Sequence, residues 1–211
     1  MSLRIPLVVS LLLAPLAAFA QAPEFNGDAK RGHDLAYTCN GCHAIPNYKN
    51  VYPTYSVPKL NGQRPQYLVA ALKAYKSGER SHGTMHSQAA SLSDQDMADI
   101  AAYLSGTEVL TQSKNDVPAD KRPKASEVCL ACHGTNGVGI TADYPTISGQ
   151  HRDYLVRALI DYQKGGRKNP VMAGMAANLT REDIEALAAF YAGQTPALKV
   201  VPKKVSFLSA K

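Results

Sequence analysis

Apolar residues recur at helical spacing in four stretches of the chain, and the four form two matching pairs. Tyr67, Leu68, Ala71, Leu72 and Tyr75 fall on one helix face, as do Tyr154, Leu155, Ala158, Leu159 and Tyr162. Further on, Met97, Ile100, Ala101 and Leu104 make a second stripe, matched by Ile184, Leu187, Ala188 and Tyr191. Each later stripe opens at a hydroxyl residue with an acid three places on, Ser93 with Asp96 and Thr180 with Asp183. That predicts a capping box at each helix start, weakened because Asp is shorter than Glu. A short helix is predicted over residues 28–38, and Pro123 cuts its later counterpart short. The pattern predicts an all-α fold.

The pairing continues between the stripes. Pro58-Lys59-Leu60-Asn61-Gly62-Gln63 matches Pro145-Thr146-Ile147-Ser148-Gly149-Gln150. Arg80 matches Arg167, Met85 matches Met172, and Leu92-Ser93 matches Leu179-Thr180. These marks sit 87 residues apart, so the chain holds two copies of one domain and is not a solenoid. The expected organisation is a signal segment at 1–20, a first domain at 21–112, a linker at 113–124, a second domain at 125–195 and a basic tail at 196–211. The connector between the two repeats, from about Gly106 to Lys124 with Lys121, Arg122 and Lys124, reads as solvated. The tail has no assigned role. Units of this length bury little apolar surface alone.

The chemistry sits at the start of each copy. Cys39-Asn40-Gly41-Cys42-His43 and Cys129-Leu130-Ala131-Cys132-His133 contain all four cysteines. C-x-x-C-H is the attachment pattern of a c-type haem: two thiols reach two vinyl groups on one porphyrin edge, and the next histidine binds iron. These motifs sit 90 residues apart, so the first copy carries three extra residues, in the loop 47–57. Zinc sites place their ligand pairs at finger-like distances, and thioredoxin-like pairs need a βαβ context that is not found here. Disulfides are the remaining alternative in an exported chain. Two bound haems would add a large apolar core, so the chain without them is expected to fold poorly.

Residues 5–19 are mostly apolar, with Arg4 ahead of them, and Ala18-Phe19-Ala20 gives a small-x-small cleavage pattern. This predicts an export signal removed after Ala20. The mature chain would have 191 residues, and losing Arg4 would reduce the formal charge of +6 to +5. A modest basic excess suits acidic protein surfaces and peripheral association with anionic membranes. Basic residues are scattered and no nucleic-acid motif is present, which argues against nucleic acid as a partner.

The order C-x-x-C-H, Pro-x-Leu/Ile-x-Gly-Gln, a Tyr-rich helix, Arg, Met and a capped last helix resembles a class I cytochrome c. Two such domains resemble the dihaem cytochrome c4 family of bacterial periplasmic electron carriers. The short lead into the second motif, with Pro123, departs from that family's pattern. The resemblance implies two tandem domains, each a few short helices around a covalently bound haem c with histidine and methionine on the iron. Family haem attachment takes place outside the cytoplasm, which agrees with export.

The cofactor residues are then Cys39, Cys42, His43 and Met85 in the first domain, and Cys129, Cys132, His133 and Met172 in the second. The repeat supports the methionines independently, because Met85 and Met172 are equivalent, whereas Met175 aligns with Gln88 and Met97 belongs to an apolar stripe. His82 and His86 are rival ligands without histidine twins, and His33 and His151 read as surface residues. The resemblance also implies that the Pro58 and Pro145 carbonyls accept the other histidine nitrogen.

With both axial positions filled, the chemistry expected is outer-sphere electron transfer and not catalysis. The expected partners are a quinol-oxidising complex and a terminal oxidase or reductase, met through acidic docking surfaces. The alternatives are a dihaem peroxidase, which needs an open iron, and an electron-transfer subunit of a larger oxidoreductase complex.

Overall fold

The computed structural model describes residues 25–112 and 116–202. The expected signal segment, residues 113–115 and the tail beyond 202 lie outside them. The described residues are helical, and their only β-type pairings are isolated bridges.

In the first domain, α1 (Ala29–Leu35) and α2 (Tyr37–His43) replace the single helix predicted over 28–38. Asp28 caps α1, its side chain accepting from the Lys30 and Arg31 amides. The chain turns at Ala36, so the cysteines themselves lie on α2. Then follow α3 (Pro65–Ser77), α4 (Gly83–Ala89) and α5 (Asp94–Ser105). Helix α1 crosses α5 so closely that a Cβ at Gly32 would overlap the Asp99 carbonyl. Arg31 reinforces that crossing by pairing with both Asp96 and Asp99.

Among the described residues the second domain has no counterpart of α1. Pro123 precedes a 3₁₀ turn, Lys124–Cys129, which leads directly into the single-turn α6 (Leu130–His133). The shortening expected from proline is present, because its ring cannot continue a helix from the preceding turn. Helices α7 (Arg152–Gln163), α8 (Pro170–Ala176) and α9 (Arg181–Ala192) match α3, α4 and α5. Both predicted capping boxes form: the Asp96 and Asp183 carboxylates reach back to the Ser93 and Thr180 amides at 2.9 and 3.0 Å. The shorter acid is long enough here.

The two apolar stripes of each domain pack into one core cluster and, on their open side, line a cavity. Tyr67, Leu68, Ala71, Leu72 and Tyr75 line an open cavity with Ile100 and Leu104 of α5. Tyr154, Leu155, Ala158, Leu159 and Tyr162 line a second with Leu187, Ala188 and Tyr191 of α9. Each domain is a helical shell around a space.

The domains meet through repeated residues. Gln63 donates to the Thr146 carbonyl and accepts from its amide, both at 2.8 Å. Gln150 does the same to Lys59, both at 2.9 Å. Arg80 and Arg167 pair as an antiparallel bridge, flanked by bonds from Ser81 to Gly166 and from Lys168 to Glu79. Because each contact maps onto its twin, the two copies are related by a local twofold axis. The insertion loop also joins this contact, since the Ser56 amide and hydroxyl both donate to Asp153 of α7.

The stretch read as a solvated connector is pinned in its described part. The Leu110 amide donates to the Gly62 carbonyl at 3.1 Å, and the Gln112 side chain donates to the Val138 carbonyl. Arg122 bonds the Val117 carbonyl and Glu127.

Candidate haem sites

Helix α2 ends at His43 and α6 ends at His133, so each motif histidine closes the turn that carries its two cysteines. The His43 ring Nδ1 bonds the Pro58 carbonyl at 3.0 Å. The His133 Nδ1 bonds the Pro145 carbonyl at 2.8 Å. A carbonyl only accepts, so Nδ1 carries the proton and Nε2 keeps its lone pair. Burial lowers the pKa of both rings, outweighing the prolyl carbonyls, which act to raise it. Both are therefore neutral imidazoles, the form that binds a metal. This is the histidine orientation implied by the resemblance.

No two of the four cysteines are joined in a disulfide, and all four are partly buried. Burial pushes the Cys39 and Cys129 thiols up, which disfavours bare thiolates. Among the described residues no cluster of three His, Cys, Asp or Glu side chains offers a metal cage. Paired cysteine side chains beside an apolar cavity suit covalent capture of a flat apolar group. Cys39, Cys42 and His43 line the first cavity, while Cys129 and His133 line the second.

Met85 lines the first cavity and Met172 the second. Each sits at the third position of its short helix, where the N-cap side chain accepts its backbone amide. His82 caps Met85 at 3.2 Å and Asn169 caps Met172 at 3.0 Å. His82 lines the first cavity too, but its Nδ1 accepts as the helix cap, the task its twin Asn169 performs, and a neutral ring then carries its proton on Nε2, leaving no lone pair there for a metal. His86 turns to the Tyr75 carbonyl at 2.8 Å. Met175 is exposed and Met97 is buried in the core. His33 is exposed as expected, whereas His151 is half-buried at the start of α7.

Where the cavities approach the domain contact, their walls become polar. Arg80 lines the first and Arg167 the second, and each is only 8% exposed. Among the described residues neither pairs with a carboxylate; both donate instead to the Tyr154 hydroxyl, at 2.6 and 3.1 Å. Burial acts to raise the Tyr154 phenol, but the Arg167 and Arg80 guanidiniums outweigh it and bring the pKa down to about 8. Buried cations without counter-anions are costly. A haem, with one apolar edge and two carboxylates at the other, fits a cavity with thiols at one end and a guanidinium in its wall. The walls are also shared: Lys59, Gln63 and Tyr67 line the second cavity, and Tyr154 lines the first.

In the sequence, Gln63, Gln150, Arg80 and Arg167 stand out only as marks of the repeat. The available signal was that a long polar residue recurred where a surface residue is free to vary.

The comparisons with known proteins agree with this geometry. A cytochrome c family profile matches residues 29–108, and the profile described as cytochrome c oxidase, cbb3-type, subunit III matches residues 122–190. The chain is 34% identical over 202 residues to cytochrome c4 of Pseudomonas aeruginosa, covering 89% of this chain and 98% of that one. The chain belongs to the cytochrome c4 family. As in that dihaem family, it carries two covalently bound haem c groups, one for each motif. The crystal structure of reduced recombinant cytochrome c4 from Pseudomonas stutzeri superposes with a TM-score of 0.63 at 31% identity, covering 80% of this chain and all of that one. A protein called thiosulfate dehydrogenase electron acceptor, from Stutzerimonas stutzeri, is 29% identical over 207 residues, covering 88% of this chain and 91% of that one. Like the rest of its family, the chain is an electron carrier.

Proposed function

We propose that this cytochrome carries single electrons in the periplasm from a quinol-oxidising complex to a terminal oxidase or reductase. The observation that carries this reading is the matched lining of the two cavities, each with one neutral histidine and one methionine. In this reading His43 and Met85 would hold the first iron, and His133 and Met172 the second. Cys39 with Cys42, and Cys129 with Cys132, provide the thioether links. Each haem supplies an iron that gains or loses one electron.

The chain's own residues set the conditions for that exchange. The Pro58 and Pro145 carbonyls fix the histidine tautomer and ring direction. Methionine favours the ferrous state and raises the potential. With a histidine and a methionine both holding each iron, no position would be left for peroxide, which argues against the peroxidase alternative. Arg80 and Arg167 would offset the haem carboxylates, and the paired glutamine clamps tie the two cavity walls together.

The test is to mix the oxidised protein with a quinol-oxidising complex and quinol. The expected result is reduction by two electrons per chain, with rates that fall as salt rises where the partner surface is acidic. Failure to be reduced would remove this assignment. A second reading rests on the relative named as an electron acceptor of thiosulfate dehydrogenase. Fast reduction by such an enzyme and thiosulfate, with none by quinol, would favour it.

A further inference from the structure

The tail was the one stretch without a role, and its described part is firmly packed. It leaves α9 and runs along the second domain's Pro145–Gln150 loop, where the Leu198 amide donates to the Ser148 carbonyl at 3.0 Å. The Ser148 hydroxyl donates to the Pro196 carbonyl at 2.6 Å. Gly149, at a φ of 66°, makes the passage possible, because a Cβ there would overlap Ala197. The segment then crosses to the first domain. Lys199 and Asn61 exchange both main-chain hydrogen bonds at 3.0 Å, and the Val201 amide donates to the His43 carbonyl at 3.2 Å. Leu198 is 1% exposed and Val201 is 2% exposed. Val201 belongs to the first domain's core cluster, with Ala36 and Ala44 from either side of α2.

We propose that residues 196–202 form a strap by which the second domain positions the haem histidine of the first, with Val201 as the positioning residue at His43. The proposal rests on His43 being the first iron's ligand. Ring direction at His43 depends on two segments: the end of α2, which carries it, and the loop from Pro58, whose carbonyl holds Nδ1. The strap is bonded to both. At the second site it touches only the loop, at Ser148, and none of its bonds reaches the His133 carbonyl. Its effect is therefore one-sided. Loosening it admits water to the first haem, and a more polar surrounding favours the more highly charged ferric state.

The test uses the full-length holoprotein with Val201→Ala, and separately Val201→Asp in case the milder change is absorbed. Both midpoints are measured by redox titration, and the methionine-methyl signals of the reduced protein by NMR. Met85→Ala identifies which midpoint and methyl signals belong to the first haem. The expected result is a fall in the first midpoint and displaced first-haem methyl signals, with the second haem unchanged. Equal shifts at both haems, or none at either, overturn the strap. His43→Ala is run in parallel: if it leaves the first haem's spectrum unaltered, the ligand assignment beneath the proposal has failed instead.

Discussion

Gln63 and Gln150 occupy the same place in the two repeats, and each closes two hydrogen bonds on the main chain of the opposite domain. The clamped residues, Thr146 and Lys59, are themselves twins and each sits next to a histidine-orienting proline. The contact that joins the domains is thus one residue away from the contact that orients each haem ligand.

Gln63→Leu keeps the volume and removes both bonds. It leaves a buried amide and carbonyl at Thr146 without partners, at a cost of about 2–4 kcal/mol. Denaturant unfolding of the holoprotein should show the loss. Gln150→Leu should cost somewhat less, because Lys59 is not fully buried. A loss under about 0.5 kcal/mol for Gln63→Leu would show that water replaces the clamp.

Arg80→Gln removes a buried positive charge from the first cavity, and Arg167→Gln does so from the second. Positive charge near the iron favours the less charged ferrous state, so each substitution should lower the midpoint of its own haem. Redox titration of each variant measures this. A raised midpoint would show that the guanidinium does not act as a counter-charge to the haem carboxylates.

Met172→Ala should open the second iron, lower its potential and let it bind carbon monoxide. Met175→Leu should leave the sulfur–iron absorption in place and cost about 1 kcal/mol or less, because volume is kept and the residue is exposed. Met85→Ala should do to the first haem what Met172→Ala does to the second. Visible spectra with and without carbon monoxide decide the matter. The opposite pattern would place Met175 on the iron.

Much of this site was legible because haem attachment demands residue types at fixed spacing. Cys39, Cys42 and His43 are set by covalent geometry, and the repeat singled out Met85 over the rival His82 and His86. The break at Ala36 was not legible, because it depends on how closely α1 crosses α5 at Gly32, a tertiary contact. The interface was not legible for the same reason. Gln63 and Arg80 look like surface residues until the second copy covers them. The strap was hidden because Leu198 and Val201 lie in an extended segment, where too few apolar positions recur to show a period.

Asp96 carries both the capping box of α5 and a contact to α1. Hydrogen bonds from the Ser93 side chain and amide and from Arg31 hold its pKa at about 2, below the ordinary 3.8. The folded-state value is the lower one, so the stabilisation is complete above the unfolded value and is lost as pH falls through about 2. Asp96→Asn should therefore destabilise the protein more at about pH 5 than at about pH 2. Denaturant unfolding of both proteins across this range measures the difference. A gap that does not narrow towards acid would contradict the assignment of that carboxylate to the cap and the arginine.

Redox titration of the purified chain, followed through the sulfur–iron charge-transfer band, tests the central claim most directly. The two matched sites predict two one-electron steps per chain, each oxidised iron contributing its share of the band. A single electron per chain, or a step in which one oxidised iron shows no such band, would contradict two histidine–methionine haems.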